Sequence, residues 1–229
     1  MLPSLSTPEF TTTIPSSGKE ISFRPFLVKE EKILFFALES GQNKEMIKAI
    51  KTIFENCILS DFSFNDLAFF DFEYLFLMLR AKSVGETIDL KLKHDVENCG
   101  HINDISINIE DISVEHTKGH TDKFMISDTI GLKMKYPTIE TMGQYDRGES
   151  SFDVIRDSLD YVYDEDTVYD DFSKEDANKF LDSLTKTQFE KISDFFTTMP
   201  KLRHKVKYKC KKCKKEDTVL LEGLQSFFT

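Results

Sequence analysis

The chain has 229 residues, 40% hydrophobic and 31% charged, ordinary for a soluble globular protein and enough for one sizeable core or at most two small ones. Forty acids against thirty lysines and arginines give a net charge of −10, which repels a phosphate backbone over most of the surface and argues against broad nucleic-acid binding. No run of eighteen or more apolar residues is present, so no transmembrane helix is expected, and the N-terminus lacks the basic flank and apolar run of a signal peptide.

Met1 to Gly18 is rich in Ser, Thr and Pro and reads as an extended arm over residues 1–20. From Lys29 a helical stripe follows (Ile33, Leu34, Ala37, Leu38), stopped by Gly41. A second helix carries Met46, Ile47, Ile50, Ile53 and Phe54 on one face. Cys57 extends that face as a buried core thiol. A third helix, apolar on most sides and central, is expected over Asp66–Lys82 and ends before Gly85.

Thr87–Leu92 and Ile102–Ile109 alternate as a hairpin, and Phe124–Ser127 with Ile130–Tyr136 as another strand pair closed by Pro137. The period of Phe152, Ile155, Leu159 and Val162 predicts a helix over Ser151–Val162. Ser173 caps the next helix, and Thr185 with Gln188 has the spacing of a capping box opening another, which Pro200 ends. The tail Gly223–Phe228 is apolar and expected to dock on the core or on a partner. The chain is thus read as α+β, a mostly helical single domain over residues 21–229 with β-hairpins. Its 21 phenylalanines, with no tryptophan, point to a core or an interface built on Phe packing.

Two stretches repeat each other. Laying Lys91-Leu92-Lys93-His94 over Lys207-Tyr208-Lys209-Cys210 puts Cys99 over Cys213, if two residues bulge between the first pair. Each copy runs on into an apolar strand, so each is a hairpin with a ligand pair at its tip. Brought together, the tips offer one imidazole and three thiolates, a common set for structural zinc. His94, Cys99, Cys210 and Cys213 are therefore the expected ligands, in a zinc-ribbon-like module built from residues 88–112 and 204–222. His101, two residues past Cys99, stands as the alternative to His94.

The competing reading of Cys210 and Cys213 is a redox pair or a disulfide. A thioredoxin-like motif opens a helix after a strand, whereas this one is flanked by lysines and leads into a second strand. Four cysteines, three of them in knuckle-like settings, suit a reducing compartment. Four protein ligands leave no open position on a metal, and no phosphate loop, nucleophile elbow or H-E-x-x-H helix is present, so no enzyme is expected. His116 and His120 flank a glycine in what reads as a surface loop, with a second metal site as the alternative. Charge is uneven: acids dominate from Asp146 to Asp176 and bases from Arg203 to Lys215. The basic 203–215 segment carries the alternative function, a zinc-ribbon nucleic-acid binder.

Several segments together resemble the baseplate hub and hub-assembly proteins of T4-like tailed bacteriophages. They are Phe23–Leu34, Phe72–Gly85, Lys135–Thr138, Phe195–Leu202 and Gly223–Phe228, so the likeness covers nearly everything past the arm. Members of that family resemble one another in having two cysteine knuckles, the first often Cys-x-x-Cys. Here His94 stands where a Cys would be, with a longer spacing to Cys99. The resemblance implies a non-catalytic structural or assembly protein of the contractile-tail baseplate hub. Its partners would be other tail and hub proteins in a hetero-oligomeric assembly, and its place the virion tail, assembled in the host cytoplasm.

Overall fold

A computed structural model describes residues 5–64, 66–96, 99–145 and 151–227. The first four residues of the expected arm, the bulge residues Glu97 and Asn98, Asp146 of the acidic stretch and Phe228 of the tail lie outside the described residues.

In chain order the elements are β1 (Phe10–Thr13), β2 (Glu20–Phe23), α1 (Val28–Ser40), α2 (Asn43–Cys57), α3 (Phe69–Val84), β3 (Thr87–Lys93) and β4 (Ile102–Asn108). There follow β5 (Ser113–Glu115), β6 (Lys123–Met125), β7 (Gly131–Met134), α4 (Ile139–Tyr145), α5 (Ser151–Asp157), β8 (Leu159–Tyr163) and β9 (Val168–Tyr169). The last are α6 (Lys174–Asp182), α7 (Lys186–Thr198), β10 (Lys201–Lys209) and β11 (Glu216–Glu222). Helices and small antiparallel sheets are mixed throughout. The chain divides into two compact units, Met1–Phe64 with Phe70–Glu115 and Lys201–Thr229, and Asn65–Phe69 with His116–Pro200. No Gly/Pro-rich linker marks residues 115 or 200 in the sequence, which reads as one body over 21–229.

In the first unit the β-branched run Thr11–Thr13 of the extended N-terminal stretch pairs with β2, and Ile21 and Phe23 of β2 are buried. The centre is aromatic. Phe54 of α2 meets Phe72 of α3 edge-on at 5.0 Å, with Phe64 at 5.4 Å and Phe76 at 6.4 Å tilted against it. Cys57 is fully buried there, and desolvation pushes its thiol up to about 11. The start of α1 is fixed by Glu30, which is fully buried. It accepts the Leu27 N–H at 2.8 Å and pairs with Arg24 at 3.0 Å, satisfying an orphan donor of the helix end. Gly41, left-handed at φ 63°, closes the helix as expected.

Hairpin β3–β4 buries Ile88 and Leu90, and a second sheet runs β11-β10-β5. The base of the β10–β11 hairpin is tied to α3. Glu73, nearly all buried, accepts the Leu224 N–H at 2.7 Å, and Phe227 is buried beyond it. Burial pushes the Glu73 carboxyl up to about 7; the Leu224 N–H opposes that rise and the Glu222 carboxylate adds to it.

The second unit is a sheet in the order β6-β7-β8-β9 packed by helices. Its core is Leu132, Met134, Leu159, Ile192, Phe195 and their neighbours. Both predicted capping residues are in place: Ser173 accepts the Asp176 N–H, and Thr185 accepts the Gln188 N–H. Two expectations need correction. The helix predicted over Ser151–Val162 stops at Asp157, and Leu159–Tyr163 is a strand paired with β7. Leu159 and Val162 fit a helical period, but Tyr161, Val162 and Tyr163 are strand formers, and the Ser158 carbonyl takes the Lys135 N–H at 2.8 Å, extending the ladder. The central helix begins at Phe69 rather than Asp66, because Ala68 bridges Thr138 and the Phe69 N–H bonds to the Pro137 carbonyl at 2.8 Å. Among the described residues no helix is long and apolar enough to cross a membrane.

Candidate metal centre

The two hairpin tips have the same local frame. Lys93 pairs with Ile102 as the last rung of β3–β4, and Lys209 with Glu216 as the last rung of β10–β11. The residue after the first strand then reaches across the tip: the His94 N–H bonds to the His101 carbonyl at 2.8 Å, and the Cys210 N–H to the Lys215 carbonyl at 2.9 Å. In each tip the residue after the second cysteine is left-handed, Gly100 at φ 57° and Lys214 at φ 62°. The first tip is two residues longer, and the extra length falls between its ligands.

The tips bring His94, Cys99, Cys210 and Cys213 together, with their ligand atoms all within 4.8 Å of one another. His94 and Cys210 are fully buried, and Cys99 and Cys213 half-buried. Cys99 Sγ lies 3.6 Å from Cys210 Sγ, and Cys213 Sγ lies 3.5 Å from His94 Nδ1. Tetrahedral zinc bonds of about 2.3 Å to sulfur and 2.0–2.1 Å to nitrogen put two thiolates roughly 3.8 Å apart and a thiolate and an imidazole roughly 3.6 Å apart. These two separations, and the number and type of the four donors, fit such an ion. The Sγ–Sγ distance is far from the ~2.05 Å of a disulfide, and all four cysteines are free.

Charge at the site follows from the same contacts. Desolvation raises the Cys210 thiol, but the backbone N–H groups of Cys213 and Lys212, with the neighbouring Cys99 and Cys213 thiols, outweigh it and bring Cys210 well below the usual thiol range. Cys99 moves the other way. The His101 backbone N–H lowers it, but burial and the Cys210 and Cys213 thiols outweigh that contact.

Around the ligands lies a set of partners that spacing alone does not reveal. His94 Nε2, the nitrogen facing away from the thiols, has no hydrogen-bond partner within 3.5 Å and sits 3.7 Å from Asp217 Oδ2. Asp217 is itself held by the Tyr208 hydroxyl, which donates to Oδ2 at 3.1 Å. Asn103 Nδ2 points to Cys210 Sγ at 3.8 Å, and its Oδ1 accepts the Lys211 N–H at 2.9 Å. Asn103 and Asp217 occupy matching positions, each four residues past the second cysteine of its own hairpin. Each serves the first ligand of the other hairpin. The sequence does hold one trace of this: Asp217 shares the inward face of β11 with Val219 and Leu221, where an acid is out of place.

His101 is not in the cluster; its carbonyl closes the first tip and also accepts from Asn103 Nδ2 at 3.3 Å. His120 is more than a surface-loop residue. It bridges the Thr198 hydroxyl at 2.9 Å and the Tyr136 hydroxyl at 3.0 Å, and its ring lies over Tyr136 and Phe195, a packing role. Desolvation lowers its pKa, assisted by His116 and opposed by Asp122.

A family model described as T4 bacteriophage base plate protein matches residues 7–229. No curated protein and no solved structure matches the chain.

Proposed function

The chain belongs to the T4 bacteriophage base plate protein family, and from that premise we propose that it is a non-catalytic structural or assembly protein of the base plate hub, pinned by one structural zinc at His94, Cys99, Cys210 and Cys213. Membership of the family implies a structural role in the virion tail, in assembly with other tail proteins. In this reading the metal is zinc, the chain lies at the hub, and it is assembled in the host cytoplasm.

The family match over nearly the whole chain carries the base plate part of this reading. The four converging donors support the metal part. Filling all four positions leaves none for a substrate or a reactive water, so the chemistry supplied by zinc there is architectural. Ligands separated by more than a hundred residues fix the β10–β11 hairpin against the β3–β4 hairpin within the first unit. Asp217 would keep the proton on His94 Nε2 and leave the Nδ1 lone pair for the ion, the usual work of a carboxylate behind a ligating imidazole.

Elemental analysis of reduced, untagged protein tests the metal: one zinc per chain is expected, and a folded chain free of metal overturns that half. Mass spectrometry of purified tails and of tail precursors tests the other half. Base plates that assemble normally without this chain overturn it.

One observation favours a second reading. Lys205, Lys207 and Lys209 share the exposed face of β10 and continue into the exposed Lys211, Lys212, Lys214 and Lys215, a stripe able to follow phosphates. Tight DNA or RNA binding that falls with salt, and is lost when these lysines become glutamine, would establish a zinc-ribbon nucleic-acid binder instead.

A further inference from the structure

The second unit carries a groove of its own. It has a volume of about 330 Å³ and lies between β8, β9 and α6. Its walls include Ile130, Val162, Phe172 and Phe180, and Asp164 and Asp176 also line it. The walls are half-buried side chains at the margin of the unit's core, so the groove opens from packed structure.

Its surroundings are strongly acidic. Between residues 160 and 176 the chain has eight acids and one lysine. That lysine, Lys174, is turned to Asp157 at 3.1 Å. Among the described residues no cation forms an ion pair with Asp164, Glu165, Asp166, Asp170 or Asp171, all of them exposed but Asp164. The loop holding these charges is nevertheless well formed: Asp164 accepts the N–H groups of Asp166 and Thr167 and the Tyr169 hydroxyl. Beside the groove, β9 is the last strand of its sheet, with Val168 and Tyr169 more than half or half exposed. Apolar walls, an edge strand and an unneutralised acidic rim occur in one place.

We propose that this groove docks a cationic segment of a neighbouring tail protein, with one large apolar side chain entering between Val162, Phe172 and Phe180 and basic side chains facing Glu165, Asp166, Asp170 and Asp171. Charge complementarity selects the partner and the apolar anchor holds it. The inference rests on the base plate reading only for the source of the partner. The groove's own chemistry stands apart from it.

The test uses the full chain and three synthetic peptides: lysines around a central Leu-Phe pair, lysines around a Ser-Ser pair, and glutamates around Leu-Phe. Fluorescence anisotropy at low and high salt is expected to show binding of the first peptide alone, weakening with salt. The surface variant Glu165→Gln/Asp166→Asn/Asp170→Asn/Asp171→Asn, checked for folding by circular dichroism, should weaken it by about tenfold, the size of a few rim charges. Phe180→Ala should narrow its advantage over the Ser-Ser peptide. Equal binding of the first two peptides, or binding of none, overturns the groove and leaves the family reading untouched. Self-association of the chain that falls with salt and is abolished by the same surface variant assigns the groove to a second copy, and overturns the tail-protein partner.

Discussion

The two hairpin tips use one backbone solution with different chemistry in it. Both close with the same cross-tip hydrogen bond and both place a left-handed residue after the second cysteine. They differ in length, in the first ligand and in what stands behind that ligand. The imidazole of the first tip is backed by a carboxylate from the second, and the thiol of the second by an amide from the first. A neutral imidazole needs its far N–H held, whereas a thiolate needs donors, so each hairpin supplies what the other's ligand lacks.

The largest test of this comparison is removal of the proposed zinc. Structural zinc sites contribute on the order of 10 kcal/mol of coupled folding energy at neutral pH. Cys210→Ser or a strong chelator should therefore abolish metal content and lower the denaturation midpoint sharply, as followed by elemental analysis and urea unfolding. His94→Cys should retain the metal, since thiolate replaces imidazole in such sites. Equal loss in both variants would break the idea that the tips are interchangeable frames.

A difference at the far ends of the hairpins comes next. The β10–β11 hairpin leads into a turn held by buried Glu73, whose carboxyl is raised from 4.5 to about 7. A raised carboxyl favours the fold while it is protonated, so this contribution is full below about pH 4.5 and is lost as pH rises through 7. The loss is on the order of 3 kcal/mol for a shift of that size. Glu73→Gln should flatten that part of the stability curve, measured by urea unfolding across the interval in parallel with the unmutated chain. Identical slopes would show that Glu73 does not titrate with folding.

Asp217→Asn tests the crossed support more finely. Loss of such a partner weakens metal affinity by roughly 10–100-fold, readable by competition with a chromophoric chelator, while the His94 ring nitrogens report the tautomer by NMR. Unchanged affinity and tautomer would reduce Asp217 to a packing partner of Tyr208. Smaller still are the turn residues. Gly100→Ala should cost about 1 kcal/mol, because φ 57° is unfavourable for a residue with a Cβ, and Lys214→Gly should gain about as much, in thermal melts of the metal-bound chain. Changes of the same sign would break the equivalence of the tips. His101→Ala should move stability and metal content least, since only its backbone takes part.

The sequence made the frames legible because strand alternation and ligand spacing are local. Lys93, His94, Cys99 and Ile102 lie within a few residues, as do Lys209, Cys210, Cys213 and Glu216, and each set fixes its own tip. Convergence of the two sets could be read only because one repeats the other. The crossed partners were hidden, since Asn103 and Asp217 act on residues more than a hundred positions away. Strand β8 is hidden because Leu159 and Val162 fit the helical period, and the deciding bond, from Lys135 to Ser158, comes from another element. The packing role of His120 is not legible in the sequence because its partners, Tyr136 and Thr198, come from other elements.

The spacing of the ligands also sets an order of events during synthesis. His94 and Cys99 leave the ribosome first, and all of residues 116–200, the bulk of the second unit, follow before Cys210 and Cys213 are made. At the usual pace of about 5–20 residues per second, the first tip waits several seconds for its counterpart. A truncated chain ending before residue 210 holds two donors of the four and cannot close the set. Completion of the cluster therefore requires that translation has passed residue 213 and that both hairpins have met.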